Sequence, residues 1–138
     1  MNTSKNNTER DYSHRSLYEK LGLRADMHVA ICGIRDERFV LELNARLAMS
    51  ASVHLRSRYD MIFVQIDTAR DLDRIVRAAK HLKPNGAIWV FHPKGRGATP
   101  TDADVRKTAI GAGLVDNKIC ALNDTHTATR YVIPVAKR

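Results

Sequence analysis

The chain has 138 residues, of which 43% are hydrophobic and 28% are charged, a composition typical of a soluble globular domain. Its apolar runs are far shorter than the roughly 20 residues that cross a bilayer, so we expect neither a transmembrane segment nor membrane contact. The polar start of the chain lacks the apolar run of a secretory signal. We therefore predict a disordered tail over residues 1–11, a single domain over residues 12–138 and a cytoplasmic location.

The chain is basic, with 23 Lys and Arg against 15 Asp and Glu and a formal net charge of +8 at pH 7. An excess of this size favours anionic partners, either a phosphorylated small molecule or nucleic acid. The positive residues are spread along the chain, as on a solvated surface, rather than gathered in a tail.

The two cysteines, Cys32 and Cys120, each lie in an apolar run without a Cys or His at metal-ligand spacing. We expect both thiols to be reduced, buried and unbridged, because each behaves there as a small hydrophobic side chain. The sequence predicts no metal site and indicates no particular cofactor.

The first half of the chain alternates helix and strand. A helix is predicted from about Ser13 to Leu21, where Gly22 closes it. The apolar run over residues 28–33 predicts a buried strand. Asp36 then caps a second helix, in which apolar side chains recur at helical spacing.

The pattern continues through the middle of the chain. Residues 51–55 alternate polar and apolar, which predicts a strand at the sheet edge. Residues 61–66 give the strongest strand signal and end at Asp67. A helix is predicted from there to about Leu82, followed by a buried strand over residues 87–91.

The last segment predicts a helix and a hairpin. Thr101 begins the helix and Gly113 ends it. The strands over residues 118–122 and 129–133 are too close in sequence for a parallel crossover, so they form an antiparallel hairpin. Together the elements predict an α/β fold, with a mostly parallel Rossmann-like sheet and helices on both of its faces.

This order of elements resembles a shortened class I methyltransferase. The resemblance rests on residues 23–29 leading into Gly33, on the strand that ends at Asp67, and on residues 82–86 before the strand of Trp89. It implies the Rossmann-like fold and one possible activity, that of an unusual S-adenosylmethionine-dependent methyltransferase.

The chain also resembles a family of small bacterial proteins known only as a domain of unknown function. The matching segments are Tyr12-Ser13, Lys20-Leu21-Gly22, Trp89-Val90, Pro93-Lys94, Val105-Arg106 and residues 113–120. The last of these is the most specific. Where that family carries Trp in the final hairpin turn, this chain has His126. The resemblance implies a bacterial cytosolic protein and supplies no activity.

Cationic residues follow the predicted strands, at the end of an α/β sheet where ligands bind. The candidate ligand-binding residues are Gly33, Arg35, Arg56, Lys94 and Arg96. Guanidinium and ammonium groups bind phosphate and carboxylate, and glycine allows close approach of the backbone. We therefore predict a small-ligand or anion-binding domain with a degenerate methyltransferase-like fold.

The conventional cofactor loop is incomplete. Arg35 occupies a position at which a cofactor-binding loop has a second glycine. The second predicted strand is followed by Arg56 and not by the carboxylate that would bind the ribose hydroxyls. We therefore do not expect a conventional methyltransferase. The alternatives are an RNA-associated binding module, an unusual S-adenosylmethionine-dependent methyltransferase, and an adaptor that acts through protein contacts.

Two polar residues follow the predicted central strands and are the candidate catalytic pair. Asp67 and His92 act as acid and base if their loops bring them within hydrogen-bonding reach. The simpler interpretation is that Asp67 begins a helix cap and His92 precedes Pro93. We expect Trp89 in the core rather than at a stacking surface.

Overall fold

The computed structural model describes residues 17–138. The predicted tail and the start of the predicted first helix lie outside the described residues. Residues 17–20 are helical, and Leu21 after them is fully buried.

Five strands and three α-helices follow in the described part of the chain. The strands are β1 (Val29–Cys32), β2 (Tyr59–Gln65), β3 (Leu82–Pro93), β4 (Val115–Ala121) and β5 (His126–Val132). The helices are α1 (Glu37–Arg46), α2 (Asp73–Ala79) and α3 (Asp102–Gly111). Single 3₁₀ turns span Ala69–Leu72 and Val135–Lys137. None of the helices within residues 17–138 is long and apolar enough to cross a membrane.

The strands form one sheet in the order β1-β2-β3-β5-β4. The first three strands are parallel, whereas β5 runs antiparallel to both β3 and β4. The predicted α/β class, the parallel sheet and the C-terminal antiparallel pair are confirmed. Because β5 runs antiparallel to β3, with His126 opposite Pro93, the start of β5 lies at the carboxyl ends of the parallel strands.

One face of the sheet is covered by α1 and by the segment around Leu21. Phe39 of α1 packs edge-on against Phe63 and Phe91, with ring centroids 5.3 Å apart in both pairs. Trp89 lies fully buried beneath this layer, and its indole N–H donates to the Leu21 carbonyl at 2.8 Å. Trp89 is therefore a core residue, as predicted.

The opposite face is covered by α2 and α3. Ile75 of α2 and Val105 of α3 are fully buried in the same cluster as Ile62, Val64 and Ile88 of the sheet. Each helix buries one apolar side and leaves its charged side in water. Helices thus cover both faces of the sheet, as the sequence predicts.

The predicted helix starts are correct where a side chain caps them. Asp36 accepts hydrogen bonds from the backbone N–H groups of Arg38 and Phe39, at 3.0 and 3.2 Å. Thr101 and Asp104 cap α3 reciprocally, each accepting from the backbone N–H of the other at 3.1 Å. Both caps satisfy amide groups that have no partner inside the helix.

Several predicted boundaries differ from the observed ones, and the two hairpin strands each begin three residues earlier than predicted. The strand over residues 51–55 is reduced to a single parallel bridge between Ser52 and Ala30, because the Ser52 hydroxyl donates to the His54 carbonyl and turns the chain away. The helix predicted to reach Leu82 ends at Ala79, and Leu82 already pairs with β2.

The two cysteines form no disulfide, but both are partly rather than fully buried. This corrects the prediction of complete burial for Cys32 and Cys120. Burial still raises the pKa of both thiols above the ordinary value, against the opposing effect of nearby cations.

Candidate functional site

A cleft of about 610 Å³ opens beside the carboxyl ends of the parallel strands and is called the strand-end cleft here. Its apolar residues include Ile34, Phe39, Phe91 and Leu122, and its polar residues include Arg35, Asp36, Gln65, Asp67 and His126. This is the end of an open α/β sheet at which ligands bind.

Asp67 and His126 form a hydrogen-bonded pair in this cleft. His126 Nε2 lies 2.7 Å from Asp67 Oδ1, and both side chains are largely shielded from solvent. The Gln65 amide donates to the same carboxylate, at 3.3 Å from Oδ1 and 3.1 Å from Oδ2. Asp67 follows β2, whereas His126 begins β5, so the sheet order brings the two residues together.

The turn between β4 and β5 fixes the other side of the His126 ring. Asn123 Oδ1 accepts from the backbone N–H groups of Thr125 and His126, at 2.9 and 2.8 Å. The Thr125 hydroxyl lies 3.0 Å from Asn123 Oδ1 and 2.8 Å from His126 Nδ1. Both ring nitrogens of His126 therefore have a partner.

This network satisfies His126 in two protonation states. The ionised Asp67 carboxylate can only accept, so Nε2 carries a proton in both states. When the ring is neutral, Nδ1 accepts from the Thr125 hydroxyl. When Nδ1 is also protonated, it donates to Thr125 Oγ1, and that hydroxyl turns to Asn123. The pair can therefore take up a proton without leaving a polar group unpaired.

The loop after β2 is held by Asp71. Its carboxylate Oδ2 accepts from the backbone N–H groups of Asp67 and Thr68, at 2.9 and 3.0 Å. Burial alone would raise the pKa of Asp71, but these hydrogen bonds and the charge of Arg74 together hold it below the usual value. These hydrogen bonds fix the backbone of Asp67.

Arg74 joins this loop to the end of β1. Its guanidinium donates to the Gln65 carbonyl at 2.7 Å and lies 3.4 Å from the Asp71 carboxylate. The same guanidinium packs on Gly33, where any β-carbon would collide with it, and Gly33 has a φ of +73°. The backbone conformation at this position favours glycine, and any β-carbon would force the Arg74 guanidinium to shift. A ligand reaches the Gly33 backbone on this side only if Arg74 moves.

His92 does not pair with Asp67 as the sequence suggested. It is buried, and its Nε2 lies 2.9 Å from Thr129 Oγ1. Its Nδ1 lies 3.2 Å from Asp102 Oδ1 but makes no hydrogen bond. Burial lowers the pKa of His92 by more than Asp102 raises it. His92 connects β3, β5 and the start of α3, away from the cleft.

The predicted cationic residues are not gathered at one place. Arg35 lines the strand-end cleft, whereas Arg56 lines a second cleft on the α2 side of the sheet. Lys94 and Arg96 are exposed in the loop after β3 and belong to neither cleft.

The charged residues that line the strand-end cleft include more acidic than basic side chains if His126 is neutral. The charged residues among those that line it are Asp36, Glu42, Asp67, Arg35 and Arg38, besides His126. Arg38 is paired with Glu42, its Nε 3.3 Å from Oε2. This cleft is therefore suited to a neutral or cationic ligand rather than to an anion. Within residues 17–138, no group of three or more His, Cys, Asp and Glu side chains could hold a metal ion.

Several solved structures share this arrangement of helices and strands. A magnesium protoporphyrin IX methyltransferase from Synechocystis with bound SAH gives a TM-score of 0.65 at 12% identity, over 91% of this chain and 82% of that chain. The fold is that of class I methyltransferases. A ribosomal protein L11 methylase from Lactobacillus delbrueckii subsp. bulgaricus gives 0.63 at 10% identity, over 86% of this chain and 76% of that chain.

A SAM dependent methyltransferase from Aquifex aeolicus gives a TM-score of 0.60 at 10% identity, over 85% of this chain and 87% of that chain. No protein-family model and no curated protein sequence matches the chain. Identities this low establish a shared fold, and one fold hosts many activities.

Proposed function

We propose that this chain is an unusual S-adenosylmethionine-dependent methyltransferase whose ligands occupy the strand-end cleft. The observation that carries the proposal is the position and charge of this cleft. It opens beside the carboxyl ends of β1, β2 and β3 in a methyltransferase fold, and Asp36, Glu42 and Asp67 line it. Carboxylates favour a cationic ligand such as a sulfonium ion.

The cleft suits such a ligand in volume and in chemistry. Its 610 Å³ falls within the range of small-molecule sites, about 300–1,000 Å³. Phe39 and Phe91 offer apolar surface, while Asp36 and Asp67 offer charge and hydrogen-bond acceptors. These four residues would hold the cofactor.

Two features depart from the usual cofactor site. Arg74 covers the Gly33 backbone, and Arg56 follows the Ser52 bridge where a ribose would need a carboxylate. Binding is therefore proposed on the α1 side of the sheet, without contact to the Gly33 backbone.

When bound, S-adenosylmethionine supplies an activated methyl group for transfer to a nucleophile. A hydroxyl or amine nucleophile loses a proton as it is methylated, and Thr125 lines the cleft where it can receive that proton. Thr125 passes its own hydroxyl proton to His126 Nδ1, 2.8 Å away. Asp67, bonded to Nε2, stabilises the resulting imidazolium.

The second candidate is a small-ligand-binding domain without methyl transfer. It is favoured by Arg74, which occupies the place where a cofactor would approach Gly33. In that case the same cleft binds a different small molecule, and the fold serves as a scaffold only.

Calorimetric titration of the full chain with S-adenosylmethionine and with S-adenosylhomocysteine tests the first candidate. We expect both to bind. We expect Asp67→Asn to weaken the binding of S-adenosylmethionine, whose sulfur is cationic, more than that of S-adenosylhomocysteine, whose sulfur is uncharged. Asp26→Asn is the matched control, since Asp26 is exposed and lies outside the cleft. Absence of binding by either compound would favour the second candidate.

A further inference from the structure

We propose that the second cleft binds the phosphate groups of a phosphorylated small molecule. This cleft, called the basic groove here, has a volume of about 470 Å³ and lies between the end of β1, residues 53–56 and α2. Its basic side chains are His54, Arg56, Arg74, Arg77, Lys80 and His81. The groove is distinct from the strand-end cleft, with which it shares no lining residue.

The basic groove concentrates positive charge on its wall. Its lining includes no Asp or Glu from the described part of the chain, in contrast to the strand-end cleft. Arg77 and Arg74 both oppose the effect of burial on the Cys32 thiol, lowering a pKa that burial raises. Both guanidinium groups line the groove together with this thiol.

Arg56, Arg77 and Lys80 are available to a ligand, whereas Arg74 is held by the Gln65 carbonyl and the Asp71 carboxylate. Arg56 and Lys80 form no ion pair with any residue of the described range 17–138. Arg77 Nε lies 3.1 Å from Asp73 Oδ2, but both side chains are exposed, and such pairs contribute little. A phosphate group would replace a weak, solvated partner with a doubly charged one.

The groove fits a small molecule better than a nucleic acid strand. Its lining contains no Phe, Tyr or Trp from the described residues, so it lacks the large aromatic rings on which unpaired bases stack most strongly. Its volume is that of a small-molecule site. Arginine forks bind phosphate oxygens in pairs, and Arg56 and Arg77 together with Lys80 match a ligand that carries two linked phosphates.

Titration of the full chain with inorganic pyrophosphate tests this site. The variant Arg77→Ala/Lys80→Ala should bind pyrophosphate at least about tenfold more weakly, since hydrogen bonds to charged groups are lost. The control Arg96→Ala/Lys107→Ala removes the same charge from exposed positions outside the groove and should leave affinity within about twofold. Equal weakening in both variants would indicate attraction to net charge alone and would overturn the proposal.

Alkylation of the native protein gives a second measurement that requires no substitution. Cys32 lines the groove, whereas Cys120 lies in β4 on the other sheet edge. Pyrophosphate should slow modification of Cys32 by iodoacetamide and leave Cys120 unchanged. Equal rates with and without pyrophosphate at Cys32 would contradict the proposal, as would an RNA oligonucleotide that binds tightly while pyrophosphate does not. S-adenosylhomocysteine should still bind to the Arg77→Ala/Lys80→Ala variant. The proposal for each cleft can therefore be disproved without affecting the other.

Discussion

His126 Nε2 lies 2.7 Å from Asp67 Oδ1, although the two residues are 59 positions apart. The contact exists because β5 pairs with β3 and carries its first residue to the end of β2. It makes the strand-end cleft a place where a proton can be held, and it replaces the Asp67–His92 pair that the sequence suggested.

The first prediction concerns the tautomer of His126. In the neutral ring the proton should reside on Nε2, because the Asp67 carboxylate can only accept a hydrogen bond. Asp67→Asn should abolish this preference, since an amide can either donate or accept. Nitrogen NMR shifts of the imidazole report the tautomer directly. An Nδ1-protonated ring in the unsubstituted protein would contradict the network, and Asp26→Asn should leave the shifts unchanged.

The second prediction concerns Gly33. Gly33→Ala should lower the free energy of unfolding by at least about 1–2 kcal/mol, because an L side chain is strained at positive φ and its β-carbon meets the Arg74 guanidinium. Gly111→Ala is the control, since Gly111 ends α3 with open space around it, and it should be neutral or stabilising by up to about 1 kcal/mol.

Chemical denaturation measures both effects, and the double variant Gly33→Ala/Arg74→Ala separates their causes. Compared with Arg74→Ala alone, which itself loses the contacts of Arg74 to Gln65 and Asp71, the double variant should show only the part due to φ. A Gly33→Ala protein as stable as the parent would contradict the strain expected at this φ.

The third prediction concerns pH and His92. Burial lowers the pKa of His92 in the folded protein below its ordinary value of 6.5, so between these two values the unfolded chain binds a proton that the folded chain does not. Stability contributed by the neutral ring is therefore complete above about 6.5 and is lost as the pH falls through that window. The midpoint temperature of thermal unfolding should therefore fall as the pH is lowered through this range.

A substitution identifies the group responsible. His92→Gln should flatten this pH dependence, whereas His54→Gln should not, because His54 is exposed. If both variants keep the dependence of the parent, a group other than His92 is its source.

The fourth prediction concerns the docking of the segment around Leu21. Trp89→Phe removes the indole N–H that donates to the Leu21 carbonyl and should cost about 1–3 kcal/mol, because that carbonyl remains buried without a partner. Leu41→Ala, at an exposed position of α1, should change stability by less than about 0.5 kcal/mol. Urea denaturation followed by circular dichroism compares them, and equal stability of Trp89→Phe and the parent would rule out the linkage.

Local signals predicted much of the fold. Asp36 and Thr101 cap helices because their side chains accept from amides two or three residues on, a relationship that the sequence contains. The apolar run of β2 is buried on both faces, as such runs are in parallel sheets. The strand predicted over residues 51–55 is wrong because the alternation of polar and apolar residues does not show where a strand stops pairing with its neighbour.

The candidate site was less predictable, because its members meet through sheet order and side-chain reach. Asp67 was found as a residue that follows a strand, but its partner His126 comes from the register of β5 against β3. Arg74 reaches from a helix to Gly33, and no local spacing indicates that contact.

The central claim is that an adenosyl ligand binds in the strand-end cleft, and amide NMR during titration with S-adenosylhomocysteine tests it most directly. The amide signals of residues 34–36, Asp67 and residues 122–126 should shift together and saturate with one dissociation constant. The amide signals of residues 53–56 and 77–81, at the basic groove, should not shift. Shifts confined to the basic groove, or no saturable shift in the strand-end cleft, would contradict the claim.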